Sequence, residues 1–185
     1  NVIQDNTSYS IPSEIDGVTV TELACYSYSN KSKLVTLTVP DTVVKLNYKA
    51  MYYNRAMTTV RGCKGVKVMA HYAISTSSTS YRTLSTIGEV DGEINLPSLE
   101  RIYEGGVSYS TISGNVNIPK LTYAGDYAFE YNNFKGDVNL GGNITYMGVT
   151  VFYLASISGT LKLGSSAAPI TSTSSWDTRA FSSMN

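Results

Sequence analysis

His71 is the single histidine of this chain, so any Ser-His-Asp or Cys-His arrangement would depend on it alone. A general base has to reach a nucleophile and be oriented by a third group. His71 stands in Ala70-His71-Tyr72-Ala73, at an outward position of the local pattern, and reads as a surface histidine. Glycoside hydrolysis needs two carboxylates across a cleft. Asp91, Glu93 and Glu100 form one acidic set, and Asp126, Glu130 and Asp137 another. Glu93 and Asp137 hold the same place in a repeated phrase, about 10 Å apart across two coils, the far end of inverting spacing. That place is Asn115 and Thr160 in neighbouring copies, and no cleft is implied. The expectation is a protein that is not an enzyme. Gly105-Gly106 and Gly141-Gly142-Asn143 are turn glycines, since no Lys-Ser/Thr pair or long helix follows to cradle a phosphate. Cys25 and Cys63 lack metal-ligand spacing and read as small, semi-buried thiols. A disulfide would suit an oxidising compartment, but two coils place them about 10 Å apart, beyond the ~7 Å Cα reach of such a bond. No cofactor and no metal are expected.

Recognition has better support. Asn95, Asn117 and Asn139 fall at equivalent places in three consecutive repeats, with Lys162 next and Thr38 far before. These four positions, Asn95, Asn117, Asn139 and Lys162, are the expected ligand face. Two readings stand: an amide ladder bonding to itself, or the polar floor of a groove for a glycan or peptide. The chain has 15 tyrosines, and Tyr53, Tyr109 and Tyr131 form a second column. Tyrosine in such a column packs in or beside the core, or stays exposed and stacks on a ligand.

What positions these columns is a repeat. The phrases Gly92-Glu-Ile-Asn-Leu-Pro97, Gly114-Asn-Val-Asn-Ile-Pro119, Gly136-Asp-Val-Asn-Leu-Gly141 and Gly159-Thr-Leu-Lys-Leu-Gly164 begin 22, 22 and 23 residues apart. A fixed period of this size means one supersecondary unit stacked on copies of itself. Each apolar-x-apolar triplet is a short strand, its outer residues inward and its middle one outward. Ile94, Leu96, Val116, Ile118, Val138, Leu140, Leu161 and Leu163 should therefore line the core of one parallel sheet in chain order. Farther along each copy a pair resembling Ala-Phe follows: Ser27-Tyr28, Ala50-Met51, Ala73-Ile74, Gly106-Val107, Ala128-Phe129, Val151-Phe152 and Ala180-Phe181. That segment should turn tightly, as a helical turn or irregular structure, with Phe129 and Phe152 stacked inside.

Tyr9-Ser-Ile-Pro-Ser-Glu-Ile-Asp-Gly-Val-Thr-Val-Thr-Glu-Leu23 resembles the first repeat of BspA-like leucine-rich repeat proteins, and Ile118-Pro119…Ala124-Gly125-Asp126-Tyr127-Ala128-Phe129 resembles the body of their repeat. The likeness runs from about Tyr9 to Phe181. It departs from the pattern in Gly141 and Gly164 for Pro, in Met51, Ile74 and Val107 for Phe, and in Lys31, Asn54, Ser110 and Asn132 where a Cys is often found. The resemblance implies a right-handed leucine-rich-repeat coil of about seven 22–23-residue repeats, with a short-stranded parallel sheet and little helix. It implies a secreted or cell-surface protein, bacterial or from certain protists, that takes part in adhesion or recognition without catalytic residues.

Composition agrees. Charged residues are 15% of the chain, and 14 basic against 14 acidic side chains leave no net charge. Nucleic acid would need a basic stripe to neutralise phosphates. No apolar run approaches the ~20 residues of a membrane helix. The chain starts at Asn1 without a leader and reads as a mature or trimmed form of an extracellular protein. It should be a single solenoid domain over residues 1–185, with a cap at about 1–20, an irregular insert at about 75–88, and a last repeat left incomplete after Trp176 and Phe181. The insert reads as a surface loop or a ligand-contacting loop; Ser165 to Ser175 is a second break of the same kind. The expected partner is a host or microbial surface protein or glycan. The runner-up is a spacer or assembly unit with no ligand, and a carbohydrate-active enzyme stands third.

Overall fold

The computed structural model describes residues 6–76, 83–141 and 143–164. The apolar-x-apolar triplets build one parallel sheet. Its strands, in spatial order, are Ser8–Ser10, Thr36–Val39, Thr59–Gly62, Thr86–Ile87, Ile94–Asn95, Val116–Ile118, Val138–Leu140 and Leu161–Leu163. Spatial order equals chain order, which is what stacking each coil on its predecessor requires. Leu37, Val39, Val60, Ile94, Leu96, Val116, Ile118, Val138 and Leu140 are buried, while Leu161 and Leu163 are partly buried against the same core.

After each triplet the chain turns a corner into a second parallel sheet. This one runs through Glu22–Leu23, Lys45–Leu46, Val68–Met69, Arg101–Ile102, Tyr123–Ala124 and Tyr146–Met147. Six coils are thus counted among the described residues. The seventh copy expected around Trp176 and Phe181 lies outside them, as does the break at Ser165 to Ser175.

A turn face follows the second sheet. Its backbone alternates between bonds within the coil and bonds to the next coil. The N–H groups of Tyr26, Tyr28 and Asn30 donate to the carbonyls of Tyr48, Ala50 and Tyr52, and those of Tyr127, Phe129 and Tyr131 to Val149, Val151 and Tyr153. Such aiming requires left-handed backbone at two fixed places. The third residue after each buried strand residue has positive φ (Tyr26, Lys49, Tyr72, Gly105, Tyr127, Thr150), and so does the seventh in most coils (Asn30, Tyr53, Tyr109, Tyr131, Leu154). Bulky side chains there cost about 1–2 kcal/mol each. The coil-to-coil ladder offsets that cost, because every N–H it uses would otherwise be unpaired near the core. Of the two forms expected, a helical turn or irregular structure, the described residues show the second, a turn of mixed handedness. A short third side, Thr111–Ile112, Asn133–Phe134 and Ser156–Ile157, returns the chain to the first sheet.

Among the described residues, the stretch expected as an insert contributes a strand. Leu46 and Met69 are 23 residues apart, and Ile102 and Ala124 are 22, but Met69 and Ile102 are 33 apart while still direct neighbours in the second sheet. Part of the excess forms an additional strand, Thr86–Ile87, which lies between Thr59–Gly62 and Ile94–Asn95. Ile87 is fully buried. The six residues from Gly88 to Glu93 connect it to Ile94, with Ile87 N–H donating to the Glu93 carbonyl at 2.9 Å. Arg61 clamps this loop by donating to the Glu89 carbonyl and pairing with Asp91. Residues 77–82 are outside the described part. Between the third and fourth coils the first sheet is thereby longer than the second by one strand spacing, about 4.8 Å. On the turn face Ile74–Ser75 pairs directly with Val107–Ser108. A wedge on one face with direct pairing opposite makes the turn face concave at this point.

Polar residues tie coil to coil where the family-like pattern has Cys. Buried Asn132 accepts from the N–H of Ser110 at 2.9 Å and its hydroxyl at 2.7 Å, and donates to the Val107 carbonyl at 3.0 Å. Buried Asn54 accepts from Lys31 N–H and donates to the carbonyls of Tyr28 and Met51. The opening Gly of each phrase has a steric cause: a Cβ on Gly136 would come within 2.5 Å of the Gly114 carbonyl oxygen. At Gly141, φ is +49°, a conformation closed to the proline that stands at this place in other coils.

Candidate functional site

Strand register brings the expected ligand face together. Asn95 is paired with Asn117, Asn117 with Asn139, and Asn139 with Lys162. Asn139 Nδ2 donates to Asn117 Oδ1 at 3.1 Å. A carboxamide has two donors and two acceptor sites, so this bond leaves capacity on both residues. A groove of about 300 Å³ runs over them, with Glu93 and Asp137 on its flank and Lys162 at its end. Toward the other end the ladder stops at the additional strand, because Gly88 follows Ile87 in that register.

Of the carboxylates flanking the groove, Asp137 has structural work. Asp137 N–H donates to Asn115 Oδ1 at 3.0 Å, and Thr160 N–H donates to Asp137 Oδ1 at 2.8 Å. Asp126 likewise accepts from Val149 N–H at 2.9 Å. These side chains stitch successive coils, so the shared position of Glu93, Asn115 and Asp137 follows from the repeat.

His71 is half exposed, stacks on Tyr103 with centroids 5.5 Å apart, and has Nδ1 3.6 Å from Glu104. The stack continues along the second sheet through Tyr123 and Tyr146, 4.6 Å apart and nearly parallel, with Arg101 over the Tyr123 ring at 4.3 Å. Of the other tyrosine column, Tyr109 and Tyr131 stack at 4.7 Å, while Tyr53 stacks on its neighbour Tyr52. The rings of that column are half-buried and lie on a flank of the solenoid. Cys25 and Cys63 are both free. Cys25 is exposed, unlike the semi-buried thiol expected, because it sits on the corner between the second sheet and the turn face. Cys63 is buried, and desolvation pushes its thiol up to about 12.

The turn face carries a grouping that sequence reasoning did not assemble. Lys49 and Tyr52 from one coil, Tyr72 from the next, and Tyr109, Glu130 and Tyr131 from the two beyond line a depression of about 480 Å³ at the concave point. The Lys49 ammonium lies 4.4 Å from the Tyr52 ring centre and 5.6 Å from that of Tyr72. A hydrogen bond with Tyr48 raises its pKa. Tyr72 donates to Glu104 at 2.7 Å; its phenol is raised first by burial and then by that bond. Glu130 is buried, and desolvation with the nearby charge of Glu104 pushes its carboxyl up to about 7. One signal existed in the sequence. The sixth residue after the buried strand residue is Ser29, Tyr52, Ser75, Ser108, Glu130 and Tyr153; the other buried members, Ser29, Ser75 and Ser108, carry hydroxyls, and Glu130 brings a carboxylate.

Stacked coils of parallel strands, a buried apolar ladder and a tight turn in place of a helix define a leucine-rich repeat solenoid. The chain belongs to the BspA-type leucine-rich repeat region family, whose model matches residues 6–92 and 91–183 in six copies. Neither a curated protein nor a solved structure matches the chain. Repeat modules of this type are often surface-associated and generally non-catalytic. Among the described residues no helix is long and apolar enough to cross a membrane, and no cluster of His, Cys, Asp and Glu is arranged to hold a metal.

Proposed function

We propose that this protein is a non-catalytic recognition module, displayed at a cell surface or secreted, that binds a glycan or extended protein ligand along its first sheet. The observation that carries this reading is the register of Asn95, Asn117, Asn139 and Lys162 on consecutive strands. Identical amides at one strand spacing, about 4.8 Å, on a backbone that cannot rearrange, offer a repeating polymer a repeated set of donors and acceptors. The ordering cost is already met by the sheet, which is the general route from weak polar contacts to useful affinity. The stitching roles of Asp126 and Asp137 favour binding over hydrolysis.

The test is an array of glycans and host-matrix proteins probed with the wild-type chain and with the triple variant Asn95→Ala, Asn117→Ala, Asn139→Ala. Binding that disappears in the triple variant while its thermal melt stays unchanged supports the reading. Binding that survives moves the site elsewhere. A wild-type chain that retains nothing on the array favours a spacer or assembly role.

A further inference from the structure

Glu130 is only 8% exposed and opens into the turn-face depression. Among the described residues its carboxyl makes no hydrogen bond and no ion pair. The other buried members of its column are satisfied internally. Ser29 donates to the Lys49 carbonyl at 2.5 Å, and Ser108 donates to the Ser75 hydroxyl at 2.8 Å. The Glu130 carboxyl faces the depression, so a ligand hydroxyl can bond to it without displacing a partner within the chain. On the same wall Lys49 offers an ammonium that forms no ion pair with Glu130.

We propose that this depression binds a single sugar ring, a neutral pyranose whose hydroxyls bridge Glu130 and Lys49 and whose C–H face lies on the tyrosines. Charge decides against the alternatives. A cationic ligand would meet Lys49, and an anionic one would meet Glu130 and, nearby, Glu104. A hydroxyl both donates and accepts, so a polyol satisfies the carboxyl and the ammonium together. With its carboxyl raised to about 7, Glu130 is part ionised at neutral pH, so it still opposes an anion, and it engages hydroxyls in either form. The phenol rings of Tyr52, Tyr72, Tyr109 and Tyr131 are half-buried around the opening, an amphipathic wall of the kind that suits one apolar face and one wet edge. A volume of about 480 Å³ holds such a ring and falls within the usual range for small-molecule sites, roughly 300–1,000 Å³.

The inference rests on the recognition reading only in its ligand class, a glycan; the face is a different one. The experiment is saturation-transfer NMR of the whole chain with glucose, galactose, mannose, N-acetylglucosamine and N-acetylgalactosamine at millimolar concentration. At least one sugar should give signal. Glu130→Ala should weaken it about tenfold or more through the lost hydrogen bonds. Lys49→Met, on the half-exposed rim where the fold tolerates change, should weaken it as well. The Asn95/Asn117/Asn139 triple variant should leave it intact, so failure here and failure of the sheet-face proposal are read separately. No signal from any of the five sugars overturns the proposal. So does signal unchanged in Glu130→Ala, or binding of Nα-acetyl-lysine methylamide in their place.

Discussion

Phe129 and Phe152 stack across adjacent coils with ring centroids 5.6 Å apart and planes 15° apart, both fully buried. The pair fills the space between the turn face and the first sheet, and Phe134 meets Phe129 edge-on at 6.5 Å. Truncating Phe129 removes one ring from a contiguous stack that the rigid coils cannot close. Phe129→Ala should destabilise the chain by about 3–5 kcal/mol, read as a shift in a denaturant melt. A change within error of zero would mean that the interior does not depend on this stack.

Asn132 makes three buried bonds, and its loss leaves the Ser110 N–H, the Ser110 hydroxyl and the Val107 carbonyl without partners. Each buried orphan costs about 1–3 kcal/mol. Asn132→Ala should therefore lower stability more than Asn139→Ala, whose amide bond to Asn117 lies on an exposed surface. Equal melts for the two variants would contradict this.

Gly136 is required by close approach of successive coils. A methyl group at this place would overlap the Gly114 carbonyl, and overpacking of backbone costs about 1–3 kcal/mol. Gly136→Ala should lower the melting temperature, whereas Gly17→Ala meets no atom within 4 Å and should act only through its positive φ.

Glu130 should make stability fall as pH rises. Its folded pKa, about 7, lies above the ordinary carboxyl value of 4.5. Between those values the unfolded chain releases its proton first, so the folded state holds more protons and loses stability with increasing pH. The stabilisation is fully present below about pH 4.5 and gone above about pH 7. Discounted for the open mouth of the depression, the effect is about 1–2 kcal/mol. Lys49 and Tyr72 line the same space and Glu104 lies nearby, and all leave the sign unchanged. Thermal melts of wild type and Glu130→Gln at pH 5 and pH 8 check it: the variant should gain relative stability at pH 8.

Thiol titration separates the two cysteines. Exposed Cys25 should react promptly with a disulfide reagent in the native chain. Cys63, buried and pushed up to about 12, should react only after denaturation. Two fast equivalents in the native state would place Cys63 at the surface.

Much of this fold was legible because its signals are local and repeated. The outer residues of each triplet point inward by the two-residue period of a strand, and a fixed repeat length then places Asn95, Asn117 and Asn139 in one column without further information. The stacking of Phe129 on Phe152 follows from the same reasoning. Thr86–Ile87 was hidden, since two residues carry no periodicity, and the serines and threonines around them read as loop. Gly141 in place of proline looked like a blurred repeat, yet it marks a backbone conformation that proline cannot adopt.

Chain order was enough to place the class of architecture, the inward residues and the amide column, because a linear repeat converts chain distance into spatial distance. Tertiary structure alone decided the concavity on the turn face. Ile87 pairs with both Val60 and Ile94, so one face gained a strand that the opposite face lacks. That mismatch draws Lys49, Tyr72 and Glu130 from three coils around one depression. Their grouping depends on how coils of unequal length stack, and no single repeat contains that information.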